Sequence, residues 1–222
     1  MRHLLLACCL ALASLGAAGC ELPAFLSAMG GENLPAAYEF EPEPTLVVVD
    51  DPTGALPDPG ATDLVAARVS QLLDSRKQYA GSIIPANKLV RLKDELGDAY
   101  QRTPLDELSR RLGAKQIIHV QIRDASQGPA PGVDRPKAVV EVKMIDIEQG
   151  RRLFPQSDVS LRADAPPPGR VVTVEMPAQR TGIESHARAA SLARELALTI
   201  GRDVAQLFYR HRKPDPGSRL RG

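Results

Sequence analysis

Two consecutive carboxylates, Asp50 and Asp51, close the apolar run at residues 45–49. The carboxyl ends of parallel strands are where α/β folds place their ligands. Metal or acid/base chemistry there would need a further carboxylate or a histidine, and none is close in sequence. The pair therefore reads as turn and loop capping. His119 falls on the polar phase of an alternating segment and reads as an exposed strand residue. His186 and His211 are spaced too widely to share one helical turn, so no metal pair is expected. The chain has no Gly-x-Ser-x-Gly elbow and no His-Glu-x-x-His, and the loop glycines Gly54 and Gly60 lack the Lys-Ser/Thr of a phosphate loop. Of three cysteines, Cys8 and Cys9 lie in an apolar leader and only Cys20 follows it, which leaves no disulfide within the remaining chain. These residues point away from an enzyme and imply no cofactor.

The leader carries the strongest signal. Arg2 gives a positive start, residues 4–15 are uncharged and apolar, and small residues lead up to Cys20. That run is shorter than the roughly 20 residues a membrane-spanning helix needs, so a cleaved export signal is expected. The stretch LGAAGC at residues 15–20 resembles a bacterial lipobox, with Ala17 three residues before the cysteine. The resemblance implies cleavage after residue 19 and a lipid on Cys20 that holds the protein in a membrane. Glu21 after that cysteine implies, by resemblance to Gram-negative sorting, the outer membrane, facing the periplasm.

The chain of 222 residues has a net charge of +1, and without residues 1–19 it carries 27 basic and 27 acidic groups. That balance, with four Phe, four Tyr and no Trp, excludes the basic, aromatic-rich surface of a nucleic-acid binder. Residues 20–44 contain Pro, Gly and five glutamates without periodicity, and read as a flexible acidic tether reaching about 25–30 Å. No Lys or Arg occurs between Arg2 and Arg68, so the lipid would be the only anchor at that end. One domain over residues 45–212 and a disordered basic tail at 213–222 complete the expected organisation.

The elements that must position these groups form an α/β (α+β) pattern. Residues 45–49 read as a central strand covered on both faces. A Pro- and Gly-rich loop leads to a helix over 62–77, with Val65, Val69, Leu72 and Leu73 on one stripe. Residues 82–84 read as a short strand, and Pro85 opens a helix that Gly97 stops. Thr103 reads as the cap of a helix bearing Leu105, Leu108 and Leu112, which Gly113 ends. A strand over 115–124 follows, with Ile118, Val120 and Ile122 on one phase. Residues 137–147 read as a strand with Val140, Val142 and Met144 inward, Glu141 and Lys143 outward, and a bulge near Ile145. A turn at 148–150 leads into a third meander strand over 151–154, and 171–176 reads as a last or edge strand. The closing helix begins with the capping box Thr181 and Glu184 and extends to about residue 212. The expectation is a mixed sheet with an antiparallel meander, packed by three to four helices.

This order, with LGAKQIIHVQI at residues 112–122, resembles a group of envelope proteins. They are the amino-terminal domain of the Tol-Pal translocation protein B, the curli secretion channel lipoprotein, and the lipoprotein activators of penicillin-binding proteins. The resemblance covers residues 45–154 and implies a lipid-tethered domain that works by contacts with an envelope protein partner. The alternative is a module binding a small ligand or cell-wall fragment. An enzymatic reading would require Asp50, Asp51 and a histidine to converge in space.

Overall fold

A computed structural model of the chain describes residues 33–56, 58–126, 133–156, 169–180 and 186–213. The leader, Cys20, the capping box at Thr181 and Glu184, and all of the tail but Lys213 lie outside the described residues.

The chain divides into two units. In the smaller, Asn33–Leu34 pairs antiparallel with His211–Arg212. The larger, Ala36–Tyr209, is built on a five-stranded mixed sheet of β1 (Thr45–Asp50), β2 (Gln116–Ser126), β3 (Lys137–Asp146), β4 (Arg151–Phe154) and β5 (Arg170–Glu175). Its helices are α1 (Ala61–Asp74), α2 (Ala86–Leu96), α3 (Leu105–Arg111) and α4 (His186–Ala205). Strand β1 lies parallel to β2, and β2 antiparallel to β3. Strands β4 and β5 share the outer edge of β3, β4 along residues 144–146 and β5 along 137–142. A further two-residue pair joins Val133–Asp134 to Gln179–Arg180.

The alternation in β2 sorts its residues between two cores. Ile118, Val120 and Ile122 join Val47, Val49, Val140, Val142 and Met144 beneath α1 and α4. Ile117 takes the other face with Leu46 and Val48, under Leu89 of α2 and Leu105 of α3. Each such side chain contributes about 1.5–3 kcal/mol by leaving water. Beyond Ile117 that second face turns polar, with His119, Gln121 and Arg123. Helices thus cover the apolar half of this face, and polar side chains occupy the other half.

Several elements depart from the sequence reading. Strand β1 is buried on both faces as expected but is an edge strand of the sheet, its outer side bridged in parallel to Ile83 at Thr45, whose amide donates to the Ser82 carbonyl and whose carbonyl accepts from the Ile84 amide. Covered faces come from helices as readily as from neighbouring strands. Helix α1 stops at Asp74, where Ser75 Oγ donates to the Leu72 carbonyl. Thr103 does not cap α3. Its hydroxyl donates to the Ala99 carbonyl at 2.8 Å and closes a 3-10 turn, Gly97–Arg102, that begins at Gly97 with φ +50°. Helix α4 ends at Ala205 and a 3-10 turn Gln206–Phe208, well before residue 212. Its last carbonyls go elsewhere. Leu207 O accepts from the amides of Ala37 and Tyr38, and Phe208 O accepts from the Tyr79 hydroxyl at 2.7 Å.

Those bonds also seat a segment read as tether. Phe40 is buried, stacks on Tyr79 at 4.1 Å between ring centres, and meets Phe208 edge-on. The bulge expected near Ile145 is present, as a register shift against β4 between Met144 and Ile145. Gly113 takes the left-handed φ of +72° that ends α3.

Candidate functional site

The parallel register of β1 and β2 sets Val48 beside His119 and Asp50 beside Gln121. Residues two apart on a strand share a face, so Asp50 lies diagonally across from His119. Asp50 Oδ2 and His119 Nε2 meet at 2.7 Å. The histidine side chain is only 18% exposed, against the expectation of an exposed strand residue, while Asp50 retains 48% exposure. Asp50 is thus no turn cap. Asp51 is one: its two carboxylate oxygens accept from the amides of Ala55 and Leu56 at 2.9 and 2.8 Å and shape the loop after β1.

An open cleft of about 640 Å³ lies at this end of β1. Asp50, Lys93, Tyr100, Gln101 and Gln121 bring polar groups to it, beside the apolar side chains of Val48, Leu105 and Leu108. Lys93 Nζ bonds Asp63 Oδ1 at 2.5 Å and sits 5.4 Å from the Tyr100 ring centre. Burial, then the negative charges of Asp50 and Asp63, push the Tyr100 hydroxyl up to about 12, so it stays protonated and can donate. The cleft offers an exposed carboxylate, a phenol donor, amide groups and a paired ammonium.

Asp50 and His119 converge, whereas Asp51 stays with its own loop, so the two-carboxylate and histidine constellation is not assembled. No group of three His, Cys, Asp or Glu side chains able to hold a metal occurs among the described residues. His211 belongs to the smaller unit, and the side chain of His186 lies outside the described residues. No sequence signal announces the Asp50–His119 pair. Only the register of two strands 69 residues apart creates it.

A second charged cluster stands on the same sheet face. Glu141, expected outward, is only 5% exposed. Arg123 Nε and Lys143 Nζ each lie 2.8 Å from its carboxylate, and the Gly169 amide donates to it at 2.7 Å. A Cβ on Gly169 would lie 2.6 Å from Glu141 Cγ and 2.8 Å from the Val142 carbonyl, so only glycine lets the backbone close over the carboxylate. Burial alone would push Glu141 up, but the bonds from Lys143, Gly169 and Arg123 outweigh it and bring the carboxyl from 4.5 down to about 2. A folded-state value below the unfolded one stabilises above about pH 4.5 and loses that contribution as pH falls towards 2. The expected loss is on the order of 3 kcal/mol, measured by denaturant unfolding across that window. Glu141→Gln should remove this part of the pH dependence and leave the rest. An unchanged acid limb would show that the clamp is not formed.

No protein-family model matches the chain, and no curated protein does. The resemblance to the Tol-Pal, curli and penicillin-binding protein activator group therefore has no family match behind it. Solved structures align with much of the chain at low similarity. Lipoprotein GNA1162 from Neisseria meningitidis is 11% identical, with a TM-score of 0.39, covering 72% of this chain and 95% of that one. A PelC dodecamer from Paraburkholderia phytofirmans is 12% identical, TM-score 0.39, covering 81% and 97%. The hypothetical protein CT253 from Chlamydia trachomatis is 13% identical, TM-score 0.35, covering 74% and 89%. At these values the likeness carries no argument about what this chain binds.

Proposed function

We propose that this chain is an exported lipoprotein, cut after residue 19 and lipidated on Cys20, whose α/β domain binds another protein of the cell envelope through the cleft beside Asp50 and His119. The observation that carries the binding reading is the Asp50–His119 pair, with the exposed carboxylate at the edge of an open cleft. His119 holds that carboxylate in one orientation, which reduces the ordering a partner must impose. The leader and the residues before Cys20 support the anchor, and Glu21 supports the outer membrane as its location. No helix among the described residues is long and apolar enough to cross a membrane.

The pair serves binding rather than catalysis in this reading. A histidine base needs a nucleophile or water held against it in addition to an orienting carboxylate, and among the described residues His119 hydrogen-bonds Asp50 alone. A second reading, a small ligand or wall fragment in the same cleft, is favoured by its concavity, since about 640 Å³ lies within the usual range of ligand sites.

The test is capture from envelope membranes by the full-length chain. Wild type should retain one stoichiometric partner, and the double variant Asp50→Ala, His119→Ala should lose it while keeping the same melting temperature within a few degrees. Retention of the partner by the double variant would remove the cleft from the account. Capture of no protein, with saturable binding of wall fragments, would favour the second reading.

A further inference from the structure

The cleft beside Asp50 also reaches the backbone of the edge strand β1, and the ladder decides which backbone groups it meets. On one side the Gln116 amide donates to the Pro44 carbonyl at 3.1 Å, and on the other Thr45 bonds Ser82 and Ile84. Backbone groups alternate sides along a strand, so Leu46, Val48 and Asp50 serve β2, while Val47 and Val49 turn theirs outward. Residues 82–84 cover only the start of that outer edge, because Pro85 then leads the chain into α2.

Further along, the Val49 amide and carbonyl have no hydrogen-bond partner among the described residues. Backbone groups enclosed without partners are destabilising. Val47 is only 1% exposed, whereas Val49 lines the cleft. Its side chain belongs to the core beneath α1 and α4, so what Val49 presents to the cleft is its backbone.

We infer that the partner is held here by strand addition: an extended segment lies along the outer edge of β1, continues the line begun by residues 82–84, and completes the amide and carbonyl of Val49. This rests on the cleft reading above and adds the form and chemistry of what enters. The residues flanking the one opposite Val49 turn their side chains to the face of Val48 and Asp50. Val48 suits an apolar neighbour there. Asp50, 48% exposed and oriented by His119, suits a Lys or Arg, since Lys93 of the same cleft is already paired with Asp63.

The test is nuclear magnetic resonance on the purified full-length chain, titrated with the capped peptide acetyl-Thr-Val-Lys-Val-Thr-amide. Binding should be saturable and should slow solvent exchange of the Val49 amide. Methylating the two valine nitrogens of the peptide blocks one strand edge and methylating the lysine nitrogen blocks the other, so the two versions should differ in affinity by about tenfold. Glu in place of the peptide's Lys should weaken binding, and Asp50→Asn should abolish that difference. Val49→Pro removes the outward amide without breaking a bond to β2, and should bind about tenfold more weakly than Val49→Ala, which keeps the amide. Absence of saturable binding would overturn the inference, as would equal affinity of the two methylated peptides or of the two Val49 variants. Capture from envelope membranes judges the cleft reading separately. A partner held equally by Val49→Pro and Val49→Ala would keep the cleft and remove the added strand, whereas peptide binding without any captured partner would keep the edge and remove the partner reading.

Discussion

Phe208→Ala should lower the unfolding free energy by about 3–5 kcal/mol, enough to leave a domain of ordinary stability near its threshold. Phe208 is fully buried and meets Phe40 and Phe154 edge-on, at 5.6 and 5.8 Å between ring centres. Its neighbours cannot collapse into the gap. Phe40 is held flat on Tyr79, and the Tyr79 hydroxyl is tied to the Phe208 carbonyl, which the substitution leaves in place. The cost therefore includes a cavity as well as the lost transfer of the ring. Denaturant unfolding measures it, with Leu198→Ala on the exposed face of α4 as a control expected within about 0.5 kcal/mol. A loss under about 1 kcal/mol for Phe208→Ala would mean that the aromatic cluster is not packed as described.

Replacing Cys20 should change location outright. Exported behind an ordinary cleavable leader, the Cys20→Ala chain is expected in the soluble fraction, and wild type in the membrane fraction. Acyl chains supply about 0.8 kcal/mol per buried methylene, and stable anchoring takes more than one such signal. Nothing else near that end helps. Residues 20–67 contain no Lys or Arg to meet anionic headgroups, and none of the described helices can span a bilayer. Mass spectrometry of the wild-type amino-terminal peptide should show acyl groups on residue 20. An unmodified cysteine, or a Cys20→Ala chain that stays with the membrane, would contradict the anchor.

What could be read from the sequence was whatever a short window determines. The 3.6-residue stripe of α1, the alternation of Ile118, Val120 and Ile122, the stops at Gly97 and Gly113, and the break near Ile145 are all local patterns. The site was not local. Asp50 reaches His119 only because β1 runs parallel to β2 in one register, and a shift of one residue would have put the two side chains on opposite faces. Glu141 shows the same limit: its alternation marks it as outward, but outward here lies under Gly169, a contact made by the return of the chain to β5. Phe40 reads as part of a tether and Phe208 as part of a longer helix because neither segment has periodicity that reports the other. Their burial comes from chain ends that meet only in the folded domain.

The most direct test of the central claim is site-specific photocrosslinking in intact cells. A photoreactive amino acid at position 101, which lines the cleft, is compared with one at position 198, exposed on α4. The account predicts one discrete adduct with an envelope protein from position 101, lost when Asp50→Ala is added, and none from position 198. An adduct of equal yield from both positions, or one from position 198 alone, would contradict it.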